Sequence, residues 1–417
     1  MSFYALGVNP ALVKTLTKKG INDPFPIQQA SIPDAIAGKD LLGQGQTGSG
    51  KTLAFGLSLL TRLAGQKAKP HKPLALILAP TRELAMQIHA VVNELASAVE
   101  LKVQLVVGGV SYRDQIHGLK QGATIVIATP GRLIDLQQQH KINLSEVKVV
   151  ILDEADQMAD MGFLPIVKQI MDLLPKHGQR MLYSATLEKG VNALVDRYLK
   201  DPVSHSVDSA ATPPAKMTHH LLLVHPDDKA EITYRIAART GKTIMFVRTK
   251  HSADRLSQKL AAAGIPNASL HGGKSQAVRT RTLNEFKSGK TPVLVATDLA
   301  ARGIHVDDIS LVVHVDAPTD PKDYLHRSGR TARAGEEGVV VTLTSSKAHT
   351  SVVKLTKQAG VDAEVLRVRP NTPEFISLTG AREPSRVPWT QPIPAEKPTQ
   401  RRSGSRPNSK NRRRRPR

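Results

Sequence analysis

The octapeptide Gly45-Gln46-Thr47-Gly48-Ser49-Gly50-Lys51-Thr52 constrains the fold more than any other stretch of the chain. It satisfies G-x-x-x-x-G-K-[ST], a loop that wraps a phosphate with its backbone N–H groups turned inward. The glycines permit that wrap. Lys51 would reach the β- and γ-phosphates of a nucleotide, and the Thr52 hydroxyl would ligate Mg²⁺. The apolar run Leu53-Ala54-Phe55 predicts a helix that opens at once and aims its positive end at the anion. A glycine-rich turn matching by chance is the bland alternative. It weakens because a carboxylate pair and paired arginines follow at workable positions downstream.

Short apolar runs alternate with helical stretches through the whole chain. Leu74–Leu78, Val103–Val107, Ile125–Ile127, Val149–Leu152 and Met181–Tyr183 predict strands in the first half, with a helix from Glu83 to Leu95 between two of them. Leu221–Val224, Ile244–Val247, Val293–Val295, Leu311–Val313 and Val339–Val341 repeat the scheme in the second half. Continuous apolar strands separated by helices predict parallel sheets covered on both faces. A length of 417 residues exceeds one ordinary core. The expectation is therefore α/β, with two tandem parallel-sheet domains over 1–204 and 218–369, a linker over 205–217, and a disordered basic tail over 370–417, where prolines and charge replace periodicity.

The charge is +22, and residues 382–417 carry 12 Lys/Arg against 2 Asp/Glu, so nearly half the surplus sits at the C-terminal end. Such a balance predicts a polyanionic partner, of which nucleic acid is the commonest. Cysteine is absent, which excludes disulfides and thiolate metal sites. No apolar run is long enough for a helical membrane span, and Met1-Ser2-Phe3-Tyr4 lacks a signal-peptide pattern. A cytoplasmic protein without a membrane partner is the expectation.

Each polar motif follows an apolar strand, where open parallel sheets bind ligands. Asp153-Glu154-Ala155-Asp156 ends the run Val149–Leu152. Asp153 would hold a metal through water, and Glu154 would orient or deprotonate the attacking water. With the phosphate loop, this predicts hydrolysis of ATP or GTP. Arg330 and Arg333 lie three apart, and two cations so close need an anion, for which the γ-phosphate held by the other domain is the candidate.

Asp-Glu-Ala-Asp is also the signature of the DEAD-box ATP-dependent RNA helicases, and the chain resembles that family from residue 3 to about 345. The resemblance implies two RecA-like domains and looks closest to the bacterial RhlE-like branch. Phe25-Pro26-Ile27-Gln28 lies where the family has its adenine-reading motif, which implies that Gln28 selects ATP. Thr47, Gly48, Ser49, Gly50, Lys51 and Thr52 match the family's phosphate loop. Pro80, Thr81, Arg82, Gly109, Thr129 and Arg132 match RNA-contacting motifs of the first domain. Arg248, Gly272 and Thr297 do so in the second. Ser184-Ala185-Thr186, with Asp156, matches the motif that couples hydrolysis to strand separation. Asp298 is implied to touch the ribose or brace the arginines, and His326 to link them to the RNA side.

The partners so implied are single-stranded or short duplex RNA, bound without sequence preference, and ribosome-assembly or RNA-degradation proteins. The expected state is a monomer. The chain departs from the family pattern in places. Ile21 replaces an aromatic that stacks on adenine, so stacking is expected to weaken by on the order of 1 kcal/mol. Phe25 replaces Thr or Ser, Gly45 replaces Ala, and Ser328 and Ala332 replace Ile and Gly. An RNA clamp that unwinds little and a DNA translocase are the competing functions. A short-duplex unwinding assay separates the first, and comparing RNA with DNA as ATPase activators separates the second.

Overall fold

Among the described residues, fourteen strands form two seven-stranded sheets, and every pairing within them is parallel. The computed structural model describes residues 1–45, 49–187, 189–206, 217–301, 306, 308–332 and 337–390. The first sheet contains β1 (Leu41–Gln44), β2 (Ala75–Leu78), β3 (Val103–Val106), β4 (Ile125–Ala128), β5 (Val149–Leu152), β6 (Gln179–Ser184) and β7 (Val203–Ser206), ordered β3-β4-β2-β5-β6-β1-β7. The second contains β8 (Met217–Val224), β9 (Lys242–Phe246), β10 (Asn267–Leu270), β11 (Val293–Ala296), β12 (Ile309–His314), β13 (Gly338–Thr344) and β14 (Glu364–Val368), ordered β10-β11-β9-β12-β13-β8-β14.

Both faces of each sheet are buried, as the unbroken apolar strands require. Along β2, Ala75 and Ile77 enter one core while Leu76 and Leu78 enter the other. The same two-residue alternation divides β9, where Met245 and Ile244 face opposite cores. Phe3 is fully buried in the first core beside Leu12 and Leu16, so it packs and touches no ligand.

Four strands escaped the sequence pattern: β1, β7, β10 and β14. In β1 the apolar run is broken by Gly43, and the reason is steric. Its register partner is Tyr183, and a Cβ at Gly43 would lie 2.5 Å from that ring. β7 and β14 are sheet edges, where partial exposure dilutes the apolar signal. The first sheet runs to Ser206, two residues past the expected limit, and 207–216 of the expected linker lie outside the described residues.

Order does not end at Pro370, which corrects the expected disorder from that point. A helix, Pro373–Thr379, buries Phe375 completely in the second domain's core. An extended strap follows. Arg382, Arg386 and Trp389 donate their backbone N–H groups to the carbonyls of Arg235, Ala263 and Ala261 at 2.8–3.0 Å. Arg386 and Glu383 pair with Glu231 and Arg235. Pro384 and Pro388 forbid a helix but not this extended path. The arginine-rich run 401–417 lies outside the described residues.

Candidate nucleotide site and nucleic-acid interface

Strand order places the chemistry. β6 lies between β5 and β1, so the loops that leave these three strands emerge side by side. They carry Asp153-Glu154, Ser184-Ala185-Thr186 and the phosphate loop. The Gly45 N–H donates to the Ser184 carbonyl at 3.1 Å, which ties the loop's first residue to β6.

Gly50 has φ +90°, a value that glycine adopts without strain, and from it the helix Lys51–Leu63 begins. Lys51 is buried, and its ammonium donates to the Gly45 carbonyl. The Ser49 hydroxyl is buried without a hydrogen-bond partner among the described residues. A Cβ at position 45 would come within 3.0 Å of that hydroxyl, which gives Gly45 a local reason. Thr52 sits half-buried in the first helical turn. Thr47 and Gly48 lie outside the described residues.

Gln28 reaches this loop from the helix Pro26–Ala37. Its Oε1 accepts from the Phe25 N–H at 2.9 Å, and its Nε2 donates to the Gly50 carbonyl at 3.0 Å. Each end of the amide has one hydrogen-bonding position left. The donor and acceptor left over are complementary in chemistry to an adenine edge. Ile21 is 38% exposed nearby in sequence.

Asp153 is fully enclosed, and burial and the neighbouring Glu154 push its carboxyl up to about 7, with the Lys51 ammonium working in the opposite direction. Glu154 has φ +51°, an uncommon conformation for a side-chain-bearing residue. A concentration of negative charge in a dry site fits a divalent cation. Among the described residues no three His, Asp or Glu side chains form an all-protein cage, and Mg²⁺ needs none, since it keeps several waters.

Asp156 joins the acids to the neighbouring loop. Its Oδ2 accepts from the backbone N–H groups of Ala185 and Thr186 at 3.1 and 3.0 Å and from the Thr186 hydroxyl at 3.3 Å. The Ser184 hydroxyl accepts from the Asp156 N–H at 3.3 Å and donates to the Thr186 carbonyl at 2.7 Å. A shift of Asp156 therefore moves Thr186.

In the second domain, Arg327 is buried, not part of a basic surface as its charge-rich surroundings suggest. Its guanidinium grips Asp298 bidentately, with Nη2–Oδ2 at 2.8 Å, donates to the Asp316 carbonyl at 2.7 Å, and lies over the Phe246 ring. Asp298 therefore braces Arg327 rather than Arg330. The helix Pro321–Ser328 thus has a fixed seat, and Tyr324 is buried on its inner side against His219 and His314. Burial holds His314 well below its ordinary value and His219 at about 4. Arg330 lies in the turn just past that helix, buried, with Nε donating to the His326 carbonyl. Arg333 lies outside the described residues.

The rim residues also receive their positions. Thr81 caps the helix Arg82–Ala96 by accepting from the Leu84 N–H, directly after Pro80. Arg82 lies over Gly108 and Gly109, where added Cβ atoms would meet its guanidinium at 2.9 and 2.6 Å, so both glycines serve close approach rather than turning alone. Arg132 stacks on Tyr112, 4.7 Å from the ring centroid, next to Thr129. Arg248 is exposed, and its N–H donates to Asp316 at 3.0 Å; Gly272 is exposed and Thr297 half-buried at adjacent strand ends.

Among the described residues, two sites of contact between the domains stand out, and the sequence announced neither. At the rim, Glu83 accepts from Gln276 Nε2 at 3.0 Å and pairs with Arg279 at 2.9 Å, while Arg82 donates to Gln276 at 3.4 Å. Beside the acids, Lys322 pairs with Asp160 at 2.6 Å. This second bridge connects the short helix Ala155–Asp160, which follows Asp153-Glu154, to the helix that leads into Arg330.

Fold and site together define a P-loop nucleoside-triphosphatase with tandem RecA-like domains. Residues 25–194 match the DEAD/DEAH box helicase family, and residues 228–335 match the helicase conserved C-terminal domain. The chain is 38% identical to the ATP-dependent RNA helicase RhlB of Xanthomonas oryzae, over 93% of this chain and 68% of that one. It is 35% identical to the DEAD-box ATP-dependent RNA helicase RhpA of Helicobacter pylori, over 88% and 74%. Among solved structures it is similar to Saccharomyces cerevisiae Dbp5 bound to RNA and ADP BeF3, with a TM-score of 0.79, 30% identity and coverage of 91% and 98%. The chain belongs to the DEAD-box ATP-dependent RNA helicase family.

Proposed function

We propose that this protein hydrolyses ATP when RNA is bound and uses the cycle to open short RNA duplexes or displace proteins from RNA. The observation that carries this reading is that one closure assembles both surfaces. The Lys322–Asp160 bridge brings the helix that leads into Arg330 to the acids, and the Glu83–Gln276–Arg279 contact joins the two rims. Nucleotide and RNA are then linked through a single equilibrium, and each favours the state that binds the other.

In this reading Lys51 and the loop N–H groups hold the phosphates, and Gln28 orients adenine. Thr52 and Asp153 would hold Mg²⁺, which supplies charge neutralisation between the β- and γ-phosphates. Glu154 orients the attacking water and takes its proton. Arg330 stabilises charge on the transferred γ-phosphoryl group as ADP leaves, a contribution that in related chemistry reaches about 10³–10⁵ in rate. Arg82, Arg132, Arg248 and backbone groups of the rim hold phosphates and sugars, so sequence is not read. RNA is distinguished from DNA through its 2′-hydroxyls.

Opening one base-pair step costs roughly 1.4 kcal/mol on the DNA scale. A closure worth a few kcal/mol therefore opens only a few pairs per cycle. The test is ATP turnover with RNA and with DNA of equal length, paired with unwinding of short and long duplexes. RNA-stimulated turnover that vanishes in Glu154→Gln, with unwinding confined to short duplexes, supports the proposal. Equal stimulation by DNA, or efficient unwinding of long duplexes, contradicts it. Partners in ribosome assembly or RNA degradation, a monomeric state and a cytoplasmic location belong to the same proposal and rest on resemblance.

A further inference from the structure

Phe25 breaks a local rule. It occupies the N-cap of the helix Pro26–Ala37, where Ser, Thr, Asp or Asn would satisfy an N–H group, and its side chain makes no capping bond. Its ring is 53% exposed, which brings little burial in return. An aromatic that neither caps nor fills a core is a residue whose use lies outside the fold.

Its surroundings give that use. A Cβ placed on Gly50 would lie 2.8 Å from Phe25 Cδ2 and 2.4 Å from Gln28 Nε2, so ring and amide flank the last glycine of the phosphate loop. Phe25 and Gln28 are also locked to one another, since the Phe25 N–H donates to Gln28 Oε1 at 2.9 Å. A nucleotide whose phosphates occupy the loop, and whose base edge meets the Gln28 amide, brings the face of that base toward this ring.

The geometry points to Phe25 as the aromatic platform for the nucleotide base, replacing a ring that position 21 lacks. The inference rests on the ATP site described under the proposed function and adds to it the residue that stacks. Division of labour follows from the chemistry. A π-face accepts any purine, so Phe25 contributes affinity, whereas the donor–acceptor pair of Gln28 contributes the choice of adenine. The isoleucine at position 21 is then compensated four residues later.

Titration calorimetry on the full chain with Mg²⁺ and a non-hydrolysable ATP analogue, a GTP analogue or inorganic tripolyphosphate tests this. The variants are Phe25→Thr, which supplies the missing cap, and Phe25→Tyr, which keeps the ring. Base–aromatic stacking of ordinary strength predicts that Phe25→Thr weakens the ATP analogue about 5- to 10-fold. Tripolyphosphate affinity stays unchanged, the ATP-to-GTP preference stays unchanged, and Tm stays equal or rises. Phe25→Tyr binds like the wild type.

If Phe25→Thr binds the ATP analogue within twofold of wild type, the inference is overturned. Equal weakening of the analogue and of tripolyphosphate also overturns it, because the ring would then only brace the loop. A wild-type chain that binds neither ligand overturns the nucleotide site itself, an outcome distinct from both.

Discussion

Replacing Glu83 by Ala should open the molecule without unfolding it. Glu83 is 4% exposed and meets the second domain's Arg279 at 2.9 Å and Gln276 at 3.0 Å. Removing one partner from a buried pair inside a single core costs about 3–5 kcal/mol. Here the open state lets Arg279 regain water, so the loss is limited to the interactions themselves, about 2 kcal/mol for charge-assisted hydrogen bonds. That corresponds to a roughly 30-fold fall in the closed-to-open ratio.

The natural chain has no cysteine, so a single pair introduced at the exposed positions Lys69 and Asp227, one per domain, can be labelled for energy transfer. With a non-hydrolysable ATP analogue present, the RNA concentration for half-maximal closure should rise about 30-fold. The melting temperature of the ligand-free protein should hardly move. Arg279→Ala should show the same loss, and the double variant should add little to either. Closure of Glu83→Ala at the wild-type RNA concentration, or additive losses in the double variant, would refute the reasoning.

Three more outcomes follow from the same geometry. Lys322→Glu should weaken ATP-dependent closure about fivefold, as expected for a partly exposed pair worth ~1 kcal/mol, and adding Asp160→Lys should restore it; failure of the exchange to rescue removes the latch. Ala332 is held at φ +53° between two of the family's arginines, so Ala332→Gly should stabilise the second domain by about 1 kcal/mol in urea titration, and no gain would show that the strain is absent. The Asp153 carboxyl is raised to about 7 in the folded chain from its ordinary 3.8, so between those values the folded chain keeps a proton that the unfolded chain has released. Stability contributed by this group therefore falls as pH rises from about 4 to about 7. Nucleotide-free Asp153→Asn should melt above wild type at pH 8 and level with it at pH 4; identical curves would disprove the burial.

The residues proposed to meet phosphate and water were legible because each is set in place by local chain geometry. Lys51 is placed by its own loop and helix, and Asp153 by the end of β5, so spacing in sequence suffices. Apolar continuity likewise revealed ten of the fourteen strands, since a strand buried on both faces tolerates little else. Where one side is exposed or a ring presses on the backbone, as in β14 and at Gly43, that signal fades. Phe375 was hidden by the prolines around it, because proline reports local conformation and not whether a distant core has room for a ring.

The sequence by itself determined the class of fold, the nucleotide chemistry and the affinity for polyanions, all properties of short segments and of composition. Only the tertiary structure decided that β6 separates β1 from β5, that Arg327 is a buried brace for Asp298, and that Glu83 meets Arg279 across nearly two hundred residues. Those are facts of strand order and domain apposition. They depend on the sum of many weak, non-directional burials spread over the whole chain, so no local pattern encodes them.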